Sequence, residues 1–292
     1  MKAAIEKAGV LIEALPYIQS FRDKVVVVKY GGAAIHDAGR ELANVLTSIA
    51  FMNQVRMWPV LVHGGGQFIS QELQLQNIES RFIGGHRYTD ERTMKVVERV
   101  LIEQVNVSLV KEINSLGGRA VGLHNRDHHY LHAKRMKTIE ADGSSVDLGL
   151  VGELTEVDAE IIRDVCSRGA VPVIAPVATG PSGETLNVNA DTAATTIAAQ
   201  LKAEKVVFLT NVPGICTDPE NPDTLRSTLT ETEVEELIEQ GVIKGGMLPK
   251  VKACITALDA GVKKAHVIDA GIAHSLLLEI FTDKGIGTQI LK

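Results

Sequence analysis

VVVVKYGG, residues 25–32, is the stretch on which the fold turns. Four valines in a row predict a strand buried on both faces, because a half-buried strand would alternate apolar and polar residues. The run then ends in a lysine, a tyrosine and two glycines. A charge carried to the end of a buried strand, followed by backbone without side chains, predicts a place where an anion comes close.

Outward from this strand, short apolar runs at 59–62, 120–123, 171–174, 205–209 and 264–268 read as further strands. Helical spacing recurs near 40–56, 66–77, 90–117, 157–168, 190–202, 230–240, 247–261 and 273–281. Nearly continuous apolar strands separated by helices predict a mainly parallel sheet covered on both faces. The segment 127–155 differs. HHYLHAKRMKTIE and LGLVGELTEV, around Asp142-Gly143-Ser144-Ser145, read as antiparallel strands joined by a turn. The N-terminal residues Ile5, Val10, Leu11, Ile12 and Leu15 recur near helical spacing and predict an amphipathic helix. That helix packs either on its own domain or on another subunit.

The chain has 292 residues, enough for one large α/β domain or two lobes. Its net charge of −6 argues against a nucleic-acid binder, which more often carries a basic surplus. Its three cysteines, Cys166, Cys216 and Cys254, are far apart, which speaks against a zinc ribbon or a disulfide framework. No apolar run approaches the roughly 20 residues of a membrane span, and the N-terminus lacks the features of a signal peptide. A cytoplasmic location is expected.

Ligands of open α/β sheets sit beyond the carboxyl ends of the strands. Three strands here end unusually: KYGG (29–32), HGGG (63–66) just before a helix, and LTNVPG (209–214). Glycine amides at a helix N-terminus can cradle an oxyanion or phosphate; the plain alternative is a tight turn that binds nothing. GHRYTDERTM (85–94) sets Arg87 ahead of a helix. An arginine fork suits a carboxylate, although a lone arginine more often makes a surface ion pair. In NVNADTAATTIAA (187–199), Asp191 opens an Ala/Thr-rich helix, and capping by Asp191 would alone explain it. In GGMLPK (245–250), Lys250 opposes the helix dipole unless it faces an anion. His124, His128, His129 and His132 read as a solvated hairpin rather than a metal site, since no cysteine or carboxylate set completes them. GxxxxGK[ST], GxGxxG after a strand, and GxSxG are absent.

In this order, KYGG, HGGG, GHRYTD, NVNADTAA, LTNVPG, GGMLPK and LLLEIFTDKGIGTQI resemble the amino acid kinase family, specifically its acetylglutamate branch, over nearly the whole chain. The resemblance implies a three-layer αβα sandwich around an eight-stranded, mainly parallel sheet. It also implies an oligomerisation helix at 1–22, an acetylglutamate-binding and dimerisation lobe at 23–200, and an ATP lobe at 201–292. The implied reaction moves a phosphoryl group from ATP to the γ-carboxylate of N-acetyl-L-glutamate, the second step of arginine biosynthesis. Lys29 and Lys250 would stabilise the transferring group and Asp191 would hold both. Gly65 and Gly66 would cradle the γ-carboxylate, while Arg87 and Asn187 grip the other carboxylate. Gly31 and Gly32, with Thr210, Asn211, Val212, Pro213 and Gly214, would serve the nucleotide. Mg²⁺ would bind through ATP phosphates rather than a protein cage.

Resemblance to the arginine-inhibited subgroup implies a hexamer built as a trimer of dimers, with arginine held near Tyr17, Glu279 and Gly287. A PII-type regulator is a further implied partner. An acetylaminoadipate-type acceptor, or a non-catalytic arginine-sensing homologue, are the alternatives. The sequence departs from the family pattern at Ala33-Ala34, at HNRDHHY (124–130), at DAGIAHSLL (269–277) and at Asn211.

Overall fold

The computed structural model describes residues 2–31, 39–126, 128–139, 145–282 and 285–292. Gly32, Ala33, Ala34, Asp127 and most of the turn expected at 142–145 lie outside the described residues. Helix α1 (Lys2–Phe21) leads into β1 (Val25–Tyr30), and α2 (Gly39–Gln54), β2 (Trp58–His63) and α3 (Gly66–Leu75) follow. A short hairpin, β3 (Phe82–Ile83) with β4 (His86–Arg87), precedes a long helix in three parts. These are α4 (Glu91–Glu98), a π-helical segment (Arg99–Asn106) and α5 (Val107–Ser115). Next come β5 (Ala120–Leu123), β6 (Leu131–Ile139), β7 (Ser145–Val157), α6 (Ala159–Ser167), β8 (Val171–Ile174), β9 (Val177–Thr179), β10 (Thr185–Val188) and α7 (Ala190–Gln200). The C-terminal part holds β11 (Lys205–Thr210), β12 (Thr228–Thr230), α8 (Glu231–Glu239), α9 (Met247–Asp259), β13 (Lys264–Asp269), α10 (Ser275–Ile280) and β14 (Thr288–Leu291).

Eight strands form one sheet in the order β12-β14-β13-β11-β1-β2-β8-β5. All its pairings are parallel except β13 with β14. The valine run behaves as its pattern predicts. Every residue of β1 is buried. Val25 and Val27 join one apolar cluster, whereas Val26, Val28 and Tyr30 join another. A strand with helices on both faces needs apolar side chains on both, hence the unbroken run. The antiparallel pair expected within 127–155 is β6 with β7, part of a separate four-stranded closed sheet with β9 and β10.

The strand order places the ligand crevice. From β1 the N-terminal strands run to one side and the C-terminal strands to the other, so the order reverses there. Such a switch point opens a cleft beyond the carboxyl ends of the flanking strands. Lys29 lies at that end of β1.

The choice left open for α1 is decided for its apolar stripe: Ile5, Val10, Leu11 and Ile12 are each more than 60% exposed. Packing of that stripe on its own domain is therefore excluded. Among the described side chains of α1, the C-terminal end docks, with Tyr17 edge-on to Phe281 at 6.4 Å.

Candidate active site

Three elements bring three charges together. Lys29 comes from β1, Asp191 from the first turn of α7, and Lys250 from the first turn of α9. Lys29 Nζ is 2.8 Å from Asp191 Oδ1, and Lys250 Nζ is 3.7 Å from Asp191 Oδ2. Helix α9 is fixed against α7, where the Thr195 hydroxyl donates to the Ala253 carbonyl at 3.2 Å. Burial alone would push the Asp191 carboxyl up. The Lys29 ammonium, aided by Lys250, outweighs burial and holds it below the usual carboxylate range. Two ammonium groups against one carboxylate leave an excess positive charge at the cleft.

The cap at this helix removes the plain alternative for Asp191. Asp191 does not cap α7. Asn189 does, its Oδ1 accepting from the Asp191 amide at 2.8 Å and the Thr192 amide at 3.2 Å. The Asp191 side chain is thereby free to reach both lysines, and its anion still gains from the positive end of the helix.

Beside the triad lies a cavity of about 470 Å³. Gly64, Gly65, Gly66, Arg87, Asn187 and Asn189 are among the residues around it. Gly66 opens α3, so its amide has no intrahelical acceptor. Gly65 has a different reason to be glycine: a Cβ there would stand 2.6 Å from Leu101 Cδ2. Gly31 permits a close approach, since a Cβ would lie 3.1 Å from the Gly64 backbone and 3.2 Å from Lys29 Nζ. Lys29 therefore meets the glycine turn at the edge of the cavity.

Arg87 is not a surface ion-pair residue. It is buried, and its guanidinium donates to the Gly66 carbonyl at 2.9 Å, to Ser70 Oγ at 2.7 Å, and to Ser80. Its guanidinium carbon lies 4.7 Å from the Phe82 ring centre. No carboxylate pairs with it among the described residues. A buried cation held only by neutral oxygens is ready for an anionic ligand. Asn187 Nδ2 donates to Thr89 Oγ1 at 3.2 Å, which ties the cavity wall to the segment just beyond β4, the strand that carries Arg87.

Thr210 to Gly214 continue from the carboxyl end of β11, the neighbour of β1. The Thr210 hydroxyl bridges its own turn, donating to the Val212 carbonyl at 2.8 Å and accepting from the Val212 amide at 3.2 Å. Gly214 has φ +149°, and a Cβ there would crowd Thr288. These residues are not brought into the cavity of Arg87. A second cavity, of about 260 Å³, shares Asn189 with it and is bounded by Asp191, Thr192, Lys252 and His86. Among the described residues no cluster of three or more His, Cys, Asp and Glu side chains could hold a metal ion.

Tyr17, Glu279 and Gly287 also meet, elsewhere on the sheet. Tyr17 and Glu279 border a cavity of about 340 Å³ with Lys205 and His266. The Gly287 amide donates to Glu279 Oε2 at 3.1 Å. His266 Nδ1 lies 2.6 Å from Glu279 Oε1. Burial alone would raise the Glu279 carboxyl, but the bonds from His266 and from the Ile286 and Gly287 amides hold it low. Ser70, Lys205 and His266 were missed by the sequence reading, and Asn189 was read only as one of three polar residues, with Asn187 and Asp191, ahead of a helix. Asn189 carried the signal of a cap-type residue immediately before α7.

A switch-point cleft with paired lysines, a single aspartate and glycine-rich turns defines an enzyme that gathers anions, of the phosphotransferase kind. The comparisons agree. The profile of the amino acid kinase family matches residues 24–269, and the chain belongs to that family. It is 48% identical, over the full length of both chains, to an acetylglutamate kinase of Pelotomaculum thermopropionicum. It is 49% identical to that of Caldanaerobacter subterraneus subsp. tengcongensis, covering 99% of this chain and 94% of the relative. Among solved structures, N-acetylglutamate synthase from Neisseria gonorrhoeae, complexed with coenzyme A and N-acetyl-glutamate, superposes with a TM-score of 0.83 at 26% identity. That match covers 98% of this chain and 63% of the synthase. Carbamate kinase from Giardia lamblia shares the fold at a TM-score of 0.65 and 15% identity, covering 92% of this chain and 98% of that one. The chain is thus a kinase grouped with acetylglutamate kinases. No helix among the described residues is long and apolar enough to cross a membrane.

Proposed function

We propose that this enzyme transfers the γ-phosphoryl group of ATP to the γ-carboxylate of N-acetyl-L-glutamate, in the cytoplasm, as the second step of arginine biosynthesis. The observation that carries the reading is the pair of lysines on one aspartate beside a cavity with a buried, carboxylate-free arginine. In this reading Arg87 and Asn187 hold the substrate's α-carboxylate. The Gly65 and Gly66 amides receive the γ-carboxylate. Residues 210–214 serve the nucleotide, within a lobe spanning 201–292, and 23–200 forms the acceptor lobe. A carboxylate is already a nucleophile at pH 7, so no general base is required. The obstacle is the meeting of two anions. Lys29 and Lys250 supply the compensating charge, and Asp191 keeps their ammonium groups in place. Mg²⁺ fits as part of the nucleotide, held by its phosphates, since Asp191 is already engaged by both lysines.

Hydroxylamine trapping of an acyl phosphate, with N-acetyl-L-glutamate and its one-methylene-longer aminoadipate analogue side by side, tests the reading. Trapping with N-acetyl-L-glutamate supports it, and its absence under ATP and Mg²⁺ would sink it. Arg87→Ala should raise the KM for the acceptor by about tenfold or more while leaving that for ATP within about twofold. A selective loss of ATP affinity would show that the lobes are assigned the wrong way round.

Feedback inhibition by arginine is part of the same proposal. The cavity of Tyr17 and Glu279 presents a carboxylate and an aromatic ring to a guanidinium ligand, and the same synthase has been solved with L-arginine at a TM-score of 0.81 and 25% identity, covering 98% of this chain and 65% of that one. The exposed apolar stripe of α1 supports a helix at 1–22 that joins dimers into a hexamer. Tyr17→Ala should raise the arginine concentration for half-inhibition about tenfold with unchanged uninhibited turnover. Unaltered inhibition would place the effector elsewhere.

A further inference from the structure

Behind the glycine turn lies a polar network that the proposed chemistry does not use. His63 ends β2 and is fully buried. Its Nδ1 is 3.0 Å from the Gly64 carbonyl oxygen, and its Nε2 is 3.1 Å from Asn106 Nδ2. Asn106 ends the π-helical segment, and its Nδ2 also donates to the Val173 carbonyl at 2.8 Å.

These contacts settle every proton. The Val173 carbonyl can only accept, so the Asn106 atom facing it is the NH₂ group. The same NH₂ faces His63 Nε2, which must then present its lone pair. In a neutral imidazole the proton is left on Nδ1, where it donates to the Gly64 carbonyl. Burial keeps the ring neutral, with its pKa pushed down to about 4.

The consequence runs through one peptide bond. A trans peptide is planar, so the carbonyl of Gly64 and the amide N–H of Gly65 point in opposite directions. His63 holds the carbonyl on the core side and turns the N–H away from itself. The Gly65 N–H has no acceptor among the described residues, and Gly64 and Gly65 both border the cavity of Arg87. We propose that His63 and Asn106 are positioning residues that lock the Gly64–Gly65 peptide with its N–H toward the acceptor carboxylate. This rests on the reading of Gly65 and Gly66 as the acceptor cradle.

The π-helical segment is what brings these parts together. Leu101 backs Gly65 directly, Val105 lies 3.6 Å from where a Gly65 Cβ would stand, and Asn106 reaches His63. In an α-helix, residues five apart are about 140° apart around the axis, so Leu101 and Asn106 would face different ways. The i→i+5 bonding of a π-helix returns them to nearly one face, and such turns are frequent at functional sites. The neighbouring strand makes room as well. A Cβ on Gly122 of β5 would collide with Asn106 Oδ1.

The test compares wild type with His63→Asn, His63→Gln and Asn106→Leu. Asparagine places an amide near the Nδ1 position and can keep the bond to Gly64. Glutamine places its amide near Nε2 and loses it. His63→Gln and Asn106→Leu should lower kcat/KM for N-acetyl-L-glutamate about tenfold or more, with the KM for ATP within about twofold and His63→Asn within about threefold of wild type. ¹⁵N-glycine spectra without ligand read the Gly65 amide directly. It should shift and exchange faster in His63→Gln and Asn106→Leu, and stay near its wild-type position in His63→Asn. The imidazole ¹⁵N spectrum of the wild type should show the Nδ1–H tautomer. An Nε2–H tautomer overturns the proposal, and so does an unmoved Gly65 amide in the two disruptive variants. Equal losses in both His63 variants, in step with loss of folded protein, would also overturn it. If wild type phosphorylates some other acceptor, the functional reading falls while the spectra still decide this one.

Discussion

Lys29→Ala and Lys250→Ala should each lower kcat about a hundredfold or more, the scale of removing one preorganised charge from a transition state. The two variants should differ in other respects. Lys29 is buried at the end of a central strand and lies 2.8 Å from Asp191. Its loss leaves the aspartate with a single, more distant partner at 3.7 Å, so part of the damage is to the site's geometry. The Lys250 side chain is 25% exposed, makes the longer of the two contacts to Asp191 at 3.7 Å, and stands on a helix start that disfavours a cation. Its removal should therefore leave folding stability unchanged or slightly raised, and the loss should fall on kcat rather than on acceptor binding. Rapid-quench measurement of phosphoryl transfer, beside the steady-state rate, separates chemistry from product release. Near-wild-type transfer in either variant would remove the paired-lysine mechanism.

Asp191→Asn should have the second largest effect, and on stability as well as rate. The substitution keeps the shape but leaves Lys29 buried without a counter-charge. Breaking a buried pair in this way typically costs about 3–5 kcal/mol, and here it also leaves two ammonium groups facing each other without their shared anion. The pH dependence follows from the direction of the Asp191 shift. Its folded pKa is depressed, so the stabilisation is fully present above the ordinary value of about 3.9. It disappears as pH falls through the lower folded pKa, because the protonated carboxyl no longer pairs with the lysines. Urea midpoints should therefore separate wild type from Asp191→Asn at neutral pH and converge in strong acid. Parallel midpoints down to the acid limit would show that the carboxylate does not stabilise the fold. Turnover of this variant should fall about a hundredfold, since both ammonium groups lose their common anchor.

Much of the scaffold was legible because its signals are local. The valine run announced a two-faced strand, and β1 is buried along its whole length. Long periodic stretches such as 190–202 and 247–261 fell where α7 and α9 stand. The short strands β3, β4, β9, β10, β12 and β14 went unread. Two to four residues carry too little periodicity to be read as strands. The interruption of the long helix by a π segment was equally invisible. RVLIEQVN is ordinary helical sequence, and the inserted turn is stabilised by what it packs against.

The site divides in the same way. The glycine turns and the lysines could be named from sequence because each sits at a strand or helix end with an identifiable backbone reason. The plain alternative for Asp191, capping of α7, could not be set aside from sequence, since Asn189 and Asp191 both suit the position and only the helix phase chooses between them. Nothing local shows that Arg87 lacks a carboxylate partner, or that His63 carries its proton on Nδ1. Both depend on which atoms arrive from elsewhere.

Sequence by itself determined the layer architecture and the inventory of charge-bearing strand ends, because hydrophobic period and glycine placement act over a few residues. Tertiary structure alone decided that residues 29, 191 and 250 converge, that Arg87 is buried, and which way the glycine-turn amide faces. Those outcomes depend on distances between segments far apart in the chain, where long-range packing rather than local preference sets the geometry.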